Sequence, residues 1–218
     1  MKSKFAVLGF LAVLASSSTA FAANLDFSSA AFAAADGRSS FAYTASDGVT
    51  LTLTAGPQLA LARLQQDGVD GFGVSTLLDT TPDEIDGTET LTLSFSQGVT
   101  VSDVFINDLF NEGYLEQGTY SINGGQARSF SALQGQTTNG SNGALTLDID
   151  TVVTSLTFSA PSAGLFRQND FAVRGINYTV AGAPASQVPE LSGNAAPLAL
   201  MLLIGCAMLI NDRRVRQS

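Results

Sequence analysis

Two neighbouring stretches decide the fold class: Leu91-Thr92-Leu93-Ser94-Phe95 and Val99-Thr100-Val101-Ser102-Asp103-Val104-Phe105-Ile106. In both, apolar side chains alternate with hydroxyl-bearing or acidic ones, and a side-chain period of two is the property of a strand. Each stretch is therefore predicted to be a strand with one face in the core and one face in solvent. Between them, Gln97-Gly98 predicts a turn.

The same alternation recurs along most of the chain, and turn residues such as Asp47-Gly48 and Asn123-Gly124-Gly125 separate the runs. About nine to eleven short strands are predicted, which is typical of an antiparallel β-sandwich of jelly-roll-like size. Residues 59–64 are compatible with either a short helix or a strand. The sequence predicts an all-β fold, a single antiparallel β-sandwich over residues 23–181. The further predicted strands are Phe41–Thr44, Val49–Thr54, Thr119–Ile122, Leu145–Ile149, Leu156–Phe158 and Phe171–Val180.

The N-terminus has the three parts of a secretory signal peptide. Lys2 and Lys4 precede an uncharged stretch over 5–15, and Ala20-Phe21-Ala22 is a small-x-small cleavage site. Residues 1–22 are therefore predicted to pass through the secretion translocon and to be removed by signal peptidase. The domain that follows is expected to be exported.

The C-terminus combines a short polar motif, an apolar run and a basic end. The motif is Val188-Pro189-Glu190, the uncharged run covers 195–210, and Arg213, Arg214 and Arg216 follow it. Sixteen uncharged residues fall short of the roughly twenty that span a bilayer comfortably, although flanking arginines and local thinning extend their reach. The arginines should stay cytoplasmic. A transmembrane helix is predicted at about 195–210, after a linker over 182–187.

This layout over 188–218 resembles the PEP-CTERM sorting signal of bacterial surface proteins. In that family the signal implies recognition and cleavage by an exosortase, a membrane cysteine peptidase, often in organisms that make exopolysaccharide. The commonest form has a second proline directly after the glutamate, whereas this chain has Leu191, which implies a variant signal. The stretches Gly71-Phe72-Gly73-Val74 and Asp83-Glu84-Ile85-Asp86-Gly87 also resemble ectodomains of uncharacterised PEP-CTERM proteins, which implies a β-sandwich and no particular activity. A permanent single-pass anchor is the alternative for the tail.

The charge of the predicted ectodomain excludes several partners. It carries seventeen acidic residues and five arginines, a net charge of about −12. Such a surface repels phosphate backbones, so no nucleic-acid partner is expected. The single cysteine, Cys206, lies in the C-terminal apolar run, so the ectodomain must fold without a disulfide.

The acidic residues are densest between Asp67 and Glu89. Carboxylates this close repel one another unless a cation or hydrogen bonds offset their charge, and Ca²⁺ accepts six to eight loop oxygens. A Ca²⁺ site built from Asp79, Asp83, Asp86 and Glu89 is one interpretation, although the spacing matches no EF-hand. A solvated acidic loop that keeps the protein soluble is the other.

A second candidate site is the segment 107–116, where amide and carboxylate side chains alternate with aromatic rings. Aromatic stacking and polar hydrogen-bonding groups would suit a carbohydrate. The alternative is a hairpin tip with its Phe packed underneath. The candidate carbohydrate-binding residues are Asn107, Asp108, Phe110, Asn111 and Tyr114.

The composition disfavours an enzyme. The chain contains no histidine, and its ectodomain contains no cysteine or lysine, so the Ser-His-acid and Cys-His mechanisms lack their base. A carboxylate-pair glycosidase drawn from Glu84, Glu89, Glu112 and Glu116 remains formally possible. The sequence instead predicts a non-catalytic surface or matrix protein, processed by an exosortase-type peptidase and associated with exopolysaccharide or biofilm. A Ca²⁺-dependent carbohydrate-binding module is the alternative.

Overall fold

Antiparallel strands dominate the computed structural model, which describes residues 22–77, 83–111, 114–134, 143–161 and 169–181. Every pairing between the named strands is antiparallel, so the predicted all-β antiparallel class is confirmed. The described residues include no helix that is long and apolar enough to cross a membrane. Residues 1–21 of the predicted signal peptide, the linker and the sorting signal with its apolar run lie outside them, whereas Ala22, the last residue of the predicted signal peptide, begins the first strand.

Ten strands are found in the described residues, within the predicted number. Three short 3₁₀ helices accompany them, at Ala30–Ala35, Gln58–Ala60 and Ala132–Gln134. In chain order the strands are β1 (Ala22–Asp26), β2 (Ser40–Thr44), β3 (Thr50–Gly56), β4 (Arg63–Asp67), β5 (Gly71–Ser75), β6 (Thr90–Asn107), β7 (Gln117–Ile122), β8 (Arg128–Ser131), β9 (Leu145–Ser159) and β10 (Ala172–Val180).

The long strands β6 and β9 pair along most of their length and join two halves of one curled sheet. In the first half, β3 and then β2 lie beside the start of β6, while β7 and then β8 lie beside the end of β9. In the second half, β10 lies beside the end of β6. The far edge of β10 is shared by β1 and β5, and β4 lies beyond β5.

The predicted turn at Gln97-Gly98 is wrong, because β6 continues through it. Its partner strand β9 is the same on both sides, and only the register shifts between Ser94 and Val99. A β-bulge absorbs such an irregularity without ending a strand. For the same reason the two strands predicted at 145–149 and 156–158 are one strand, β9.

The ambiguous stretch 59–64 contains parts of both predicted elements. The 3₁₀ helix ends at Ala60, Leu61 adopts a left-handed conformation with φ of 57°, and β4 begins at Arg63. The sequence missed β1, β4, β5 and β8 as strands. Burial does not alternate regularly along any of them, so no period of two marks them in the sequence.

Aromatic rings carried by both halves of the sheet meet in one core. Phe32, in the first 3₁₀ helix, lies 4.7 Å from the ring of Tyr43 on β2 and 6.1 Å from that of Phe72 on β5. Phe130 on β8 makes an edge contact at 5.1 Å with Phe171, just before β10. Tilted and edge-on pairs of this kind add to the free energy of burying the rings. The two halves are thus held together by side chains from opposite ends of the sheet.

Candidate functional site

The acidic segment over 83–89 is a packed part of the fold. Val74 of β5 donates its backbone N–H to the carbonyl of Glu84 at 2.9 Å, and Ile85 donates to the carbonyl of Phe171 at 2.7 Å. Ile85 is fully buried. The backbone of Gly73 lies so close to residues 83–84 that a Cβ there would collide with them. A glycine in β5 is therefore what lets the acidic segment lie against the sheet.

Of the predicted Ca²⁺ ligands, the structure buries two and exposes one. Asp86 and Glu89 are only 8 % and 2 % exposed, and the Asp86 N–H donates to Oε2 of Glu89 at 3.2 Å. Asp83 is exposed, and Asp79 lies outside the described residues. Among the described residues, no three acidic, histidine or cysteine side chains are grouped closely enough to hold a metal ion. The interpretation as a fully solvated loop is wrong for Asp86 and Glu89.

Asp108 lies at the centre of a carboxylate cluster that draws on three parts of the chain. It follows β6 in a left-handed conformation, with φ of 57°. Burial, the nearby charges of Asp70 and Asp83 and a hydrogen bond with Asp70 raise the pKa of Asp108 from 3.8 to about 7. The amide of Asn107 donates to Oδ1 of Asp70 at 3.0 Å. Near neutral pH this part of the cluster therefore holds a proton that an exposed aspartate would have lost.

Glu116 and Asp170 form a second carboxyl pair beside the first. Burial raises the pKa of Glu116 to about 8, against the opposing effect of a hydrogen bond from the Phe110 N–H. Burial also raises the pKa of Asp170, while hydrogen bonds with Glu116 and Glu84 oppose that rise. Glu116 and Asp170 are hydrogen-bonded to each other, and two carboxyls can bond in this way when they share a proton. The negative charge of Asp108 also raises the pKa of Glu116. The protonation of one pair therefore depends on that of the other.

The predicted carbohydrate-binding residues differ in burial and in hydrogen-bond partners. Asn107 is 4 % exposed and turns with Asp108 toward the carboxylate cluster. Tyr114 donates its hydroxyl to Oδ1 of Asn169 at 3.1 Å. Asn111 is exposed and bridges to Leu115, and Phe110 is half-buried. The segment is thus a folded, hairpin-like tip, and its role in carbohydrate binding stays a prediction.

The two segments predicted as separate sites lie side by side. Asp83 of the acidic segment acts on Asp108 of the segment 107–116, and Asp70 is bonded to Asn107. Sequence reasoning missed Glu116 as a member of the cluster, together with Asn169 and Asp170. Asn169-Asp170 directly precedes β10 and has no acidic neighbours in the sequence, so no local pattern marks it.

The carboxyl pairs have a geometry that bears on the glycosidase alternative. Glu116 and Asp170 are in hydrogen-bond contact, and Glu84 also bonds Asp170. Glycosidases hold their two carboxyls about 5 Å or more apart, so that the sugar carbon or a water fits between them. Glu112 lies outside the described residues. These pairs are suited to sharing protons.

The chain thus forms an antiparallel β domain with a cluster of carboxyls whose pKa values are raised by burial. No protein-family model and no curated protein matches the chain. Among solved structures, the exo-β-1,3-galactanase of Phanerochaete chrysosporium, crystallised with galactose, is similar over 74 % of this chain, with 14 % identity and a TM-score of 0.30. This chain spans 29 % of the length of the galactanase.

Proposed function

We propose that the chain is a non-catalytic, exported surface or matrix protein, processed at its C-terminus by an exosortase-type peptidase and retained with exopolysaccharide. The observation that carries the proposal is the pairing of β1 with β10, in which Ala22 lies opposite Thr179. The predicted signal-peptide cleavage site, at the start of β1, and the end of β10, the last strand before the predicted linker, are therefore neighbours. Two signals that both direct the chain to a membrane can thus act on a single edge of the domain.

The described chemistry supports a binding rather than a catalytic role. The cluster offers carboxyls and amides, and the chain has no histidine for a Ser-His-acid or Cys-His mechanism. The domain is strongly acidic, which suits an outer surface in contact with divalent cations and neutral polymers. Retention with extracellular polysaccharide agrees with the sorting signal that the tail resembles.

Mass spectrometry of the native protein tests the processing. The expected mature chain begins at Ala23 and lacks the segment beyond about Glu190. A Pro189→Ala, Glu190→Ala double variant should keep its tail, whereas Gln187→Ala, in the linker, should be processed normally. Recovery of intact Arg213–Ser218 from cell-surface material would contradict the proposal and favour a permanent single-pass anchor.

Ca²⁺-dependent carbohydrate binding is the second candidate function. The observation that favours it is the convergence of the two predicted segments, in which Asp83 acts on Asp108 and Asn107 bonds Asp70. Carboxylates that repel one another in a partly buried place are stabilised by a divalent cation. Asp70, Asp83 and Asp108 would have to move closer together to hold such a cation, because no three acidic side chains among the described residues are grouped closely enough for a metal ion.

Calorimetry and thermal melting with Ca²⁺ test this second function. At about 1 mM Ca²⁺, in the range of extracellular calcium modules, the melting temperature should rise and heat of binding should appear. Asp108→Asn should abolish both effects, while Asp148→Asn, an exposed carboxylate on β9, should keep them. Glycan-array binding with and without a chelator then tests the sugar. An unchanged melting temperature without heat of binding rules out the calcium site.

A further inference from the structure

A cavity of about 620 Å³ opens on the second half of the sheet, across β1, β10, β6 and β9. Its volume lies within the range of small-molecule pockets, roughly 300–1,000 Å³. Asn107 is the only residue that it shares with the predicted carbohydrate set, and of the predicted Ca²⁺ ligands, Asp83, Asp86 and Glu89 do not line it. This groove is therefore a separate surface, on the other side of Asn107 from the carboxylate cluster.

Strand register places a row of side chains across the groove. Asp26 pairs with Gly175, Gly175 with Phe105, and Phe105 with Thr146. Directly paired residues point to the same face of a sheet. The flanking residues Leu25, Ile106 and Leu145 are buried on the opposite face. The row thus belongs to the face that looks away from the core.

Gly175 keeps the middle of this row open. It has no side chain, so nothing projects from β10 between Asp26 and Phe105. The backbone of β1 also approaches closely here, and a Cβ at Gly175 would collide with the carbonyl of Leu25. The half-buried ring of Phe105 and the exposed hydroxyl of Thr146 continue the floor beyond this gap.

A second row of polar side chains begins at Asn24, which lines the groove, and continues beyond the lining residues. Asn24 donates to Oδ1 of Asn177 at 2.6 Å, and Asn177 donates to Oδ2 of Asp103 at 3.0 Å. These side chains lie on three adjacent strands, and their hydrogen bonds fix their orientation before a ligand arrives. Preorganisation of this kind reduces the entropy lost on binding.

Arg174 forms one wall of the groove. Its Nη1 donates to the carbonyl of Val69 at 2.7 Å, and its Nη2 lies 3.9 Å from Asp26. The positive charge is thus already partnered, and the neighbouring carboxylates of Asp26 and Asp103 outnumber it. A negatively charged ligand would meet net repulsion, whereas a neutral one would meet fixed donors and acceptors.

We propose that this groove binds a neutral oligosaccharide segment of an extracellular polysaccharide. Amide, carboxylate, guanidinium and hydroxyl groups face its hydroxyls, and the partly exposed ring of Phe105 packs against the apolar face of a sugar ring. The proposal rests on the proposed function, because the polysaccharide that retains the protein is the polymer bound. It differs from the second candidate function in needing no Ca²⁺.

Affinity electrophoresis of the exported protein, purified from the cell surface, tests the groove. Gels contain laminarin, galactomannan or dextran as neutral probes and alginate as an anionic one, with a chelator throughout. The protein should be retarded by at least one neutral polymer. Phe105→Ala and Asn24→Ala should each weaken that retardation about tenfold. Phe41→Ala, a half-buried Phe on β2, and Gln117→Ala, an exposed amide on β7, are the matched controls.

The Thr146→Arg variant distinguishes a direct loss of binding from a loss caused by misfolding. Thr146 is exposed on β9, so the longer side chain fills the groove without entering the core, and it should abolish retardation while the melting temperature stays unchanged. If all groove variants retain full binding, the groove is not the binding site, although the protein still associates with polysaccharide. Retardation by alginate alone, or by no polymer, also overturns the proposal. Processing is judged separately by mass spectrometry, so the two proposals can fail independently.

Discussion

At the scale of single residues, the buried carboxyls make stability depend on pH in an unusual direction. The pKa of Asp108 rises from 3.8 to about 7 and that of Glu116 from 4.5 to about 8. A raised pKa means that the folded protein binds more protons than the unfolded chain between those values. The free energy of unfolding therefore falls as pH rises through this window.

Thermal melts from pH 4.5 to 8, in a chelator, measure this effect. The melting temperature should decline steadily as the pH rises from the pKa values of the unfolded chain, 3.8 and 4.5, to those of the folded protein, about 7 and about 8. Asp108→Asn should reduce the decline and raise stability at pH 8, because a neutral amide replaces a carboxyl that must otherwise ionise. Asn also tolerates the left-handed backbone at this position. Asp148→Asn is the control and should leave the slope unchanged; a melting temperature that rises with pH contradicts the assignment.

Asn123 stabilises the fold through hydrogen bonds made by its side chain. Its Oδ1 accepts from the Thr154 N–H at 2.7 Å and the Ser155 N–H at 3.0 Å, and its Nδ2 donates to the Val152 carbonyl at 3.1 Å. Its φ is 51°, a conformation that few residues other than Gly and Asn adopt readily. It ties the turn after β7 to the middle of β9.

Asn123→Ala should lower the free energy of unfolding by about 2–3 kcal/mol, through lost hydrogen bonds and left-handed strain. Asn123→Gly keeps the favourable backbone but loses the side chain, and it should cost about 1 kcal/mol less. Urea unfolding of the three proteins provides the comparison. Equal destabilisation by Ala and Gly would show that backbone conformation contributes nothing here.

At the scale of elements, the alternation of β3 and of the first part of β6 predicted their strands and their buried faces. Leu51, Leu53, Leu91 and Leu93 are all buried as expected. The bulge at residues 94–99 could not be predicted, because Gln97-Gly98 looks locally like a turn and only pairing with β9 keeps the strand continuous. The carboxylate cluster was predicted only in part. Asp83 lies in the dense acidic segment, whereas Asp170 is brought to it by the long-range pairing of β10.

Gly73 shows how one element positions the site. A Cβ at this position of β5 would collide with the backbone of Asp83 and Glu84. Gly73→Ala should therefore push the acidic segment away from the sheet and destabilise the fold by about 1–3 kcal/mol. Gly68→Ala is the matched control, because a Cβ there has open space and the change should stay within about 0.5 kcal/mol. Denaturant unfolding measures both, and equal costs would show that the segment does not rest on β5.

At the scale of the whole molecule, stability depends on contacts between the two halves of the sheet. The chain has no disulfide within the described residues, because its single cysteine is Cys206. The strands β6 and β9 connect the halves through the backbone, and the ring of Phe32 connects them through the core. A fold joined in both ways should unfold in one cooperative step.

Phe32→Ala tests that cooperativity. Phe32 is 2 % exposed and contacts rings on β2 and β5, so its removal leaves a cavity between the halves and should cost about 3–5 kcal/mol. Far-UV circular dichroism reports the strands, and near-UV circular dichroism reports the tyrosines, since the chain has no tryptophan. The two urea transitions should coincide and shift together, with an unchanged m-value. Transitions that separate in the variant would instead show two halves that fold independently and are only linked by β6 and β9.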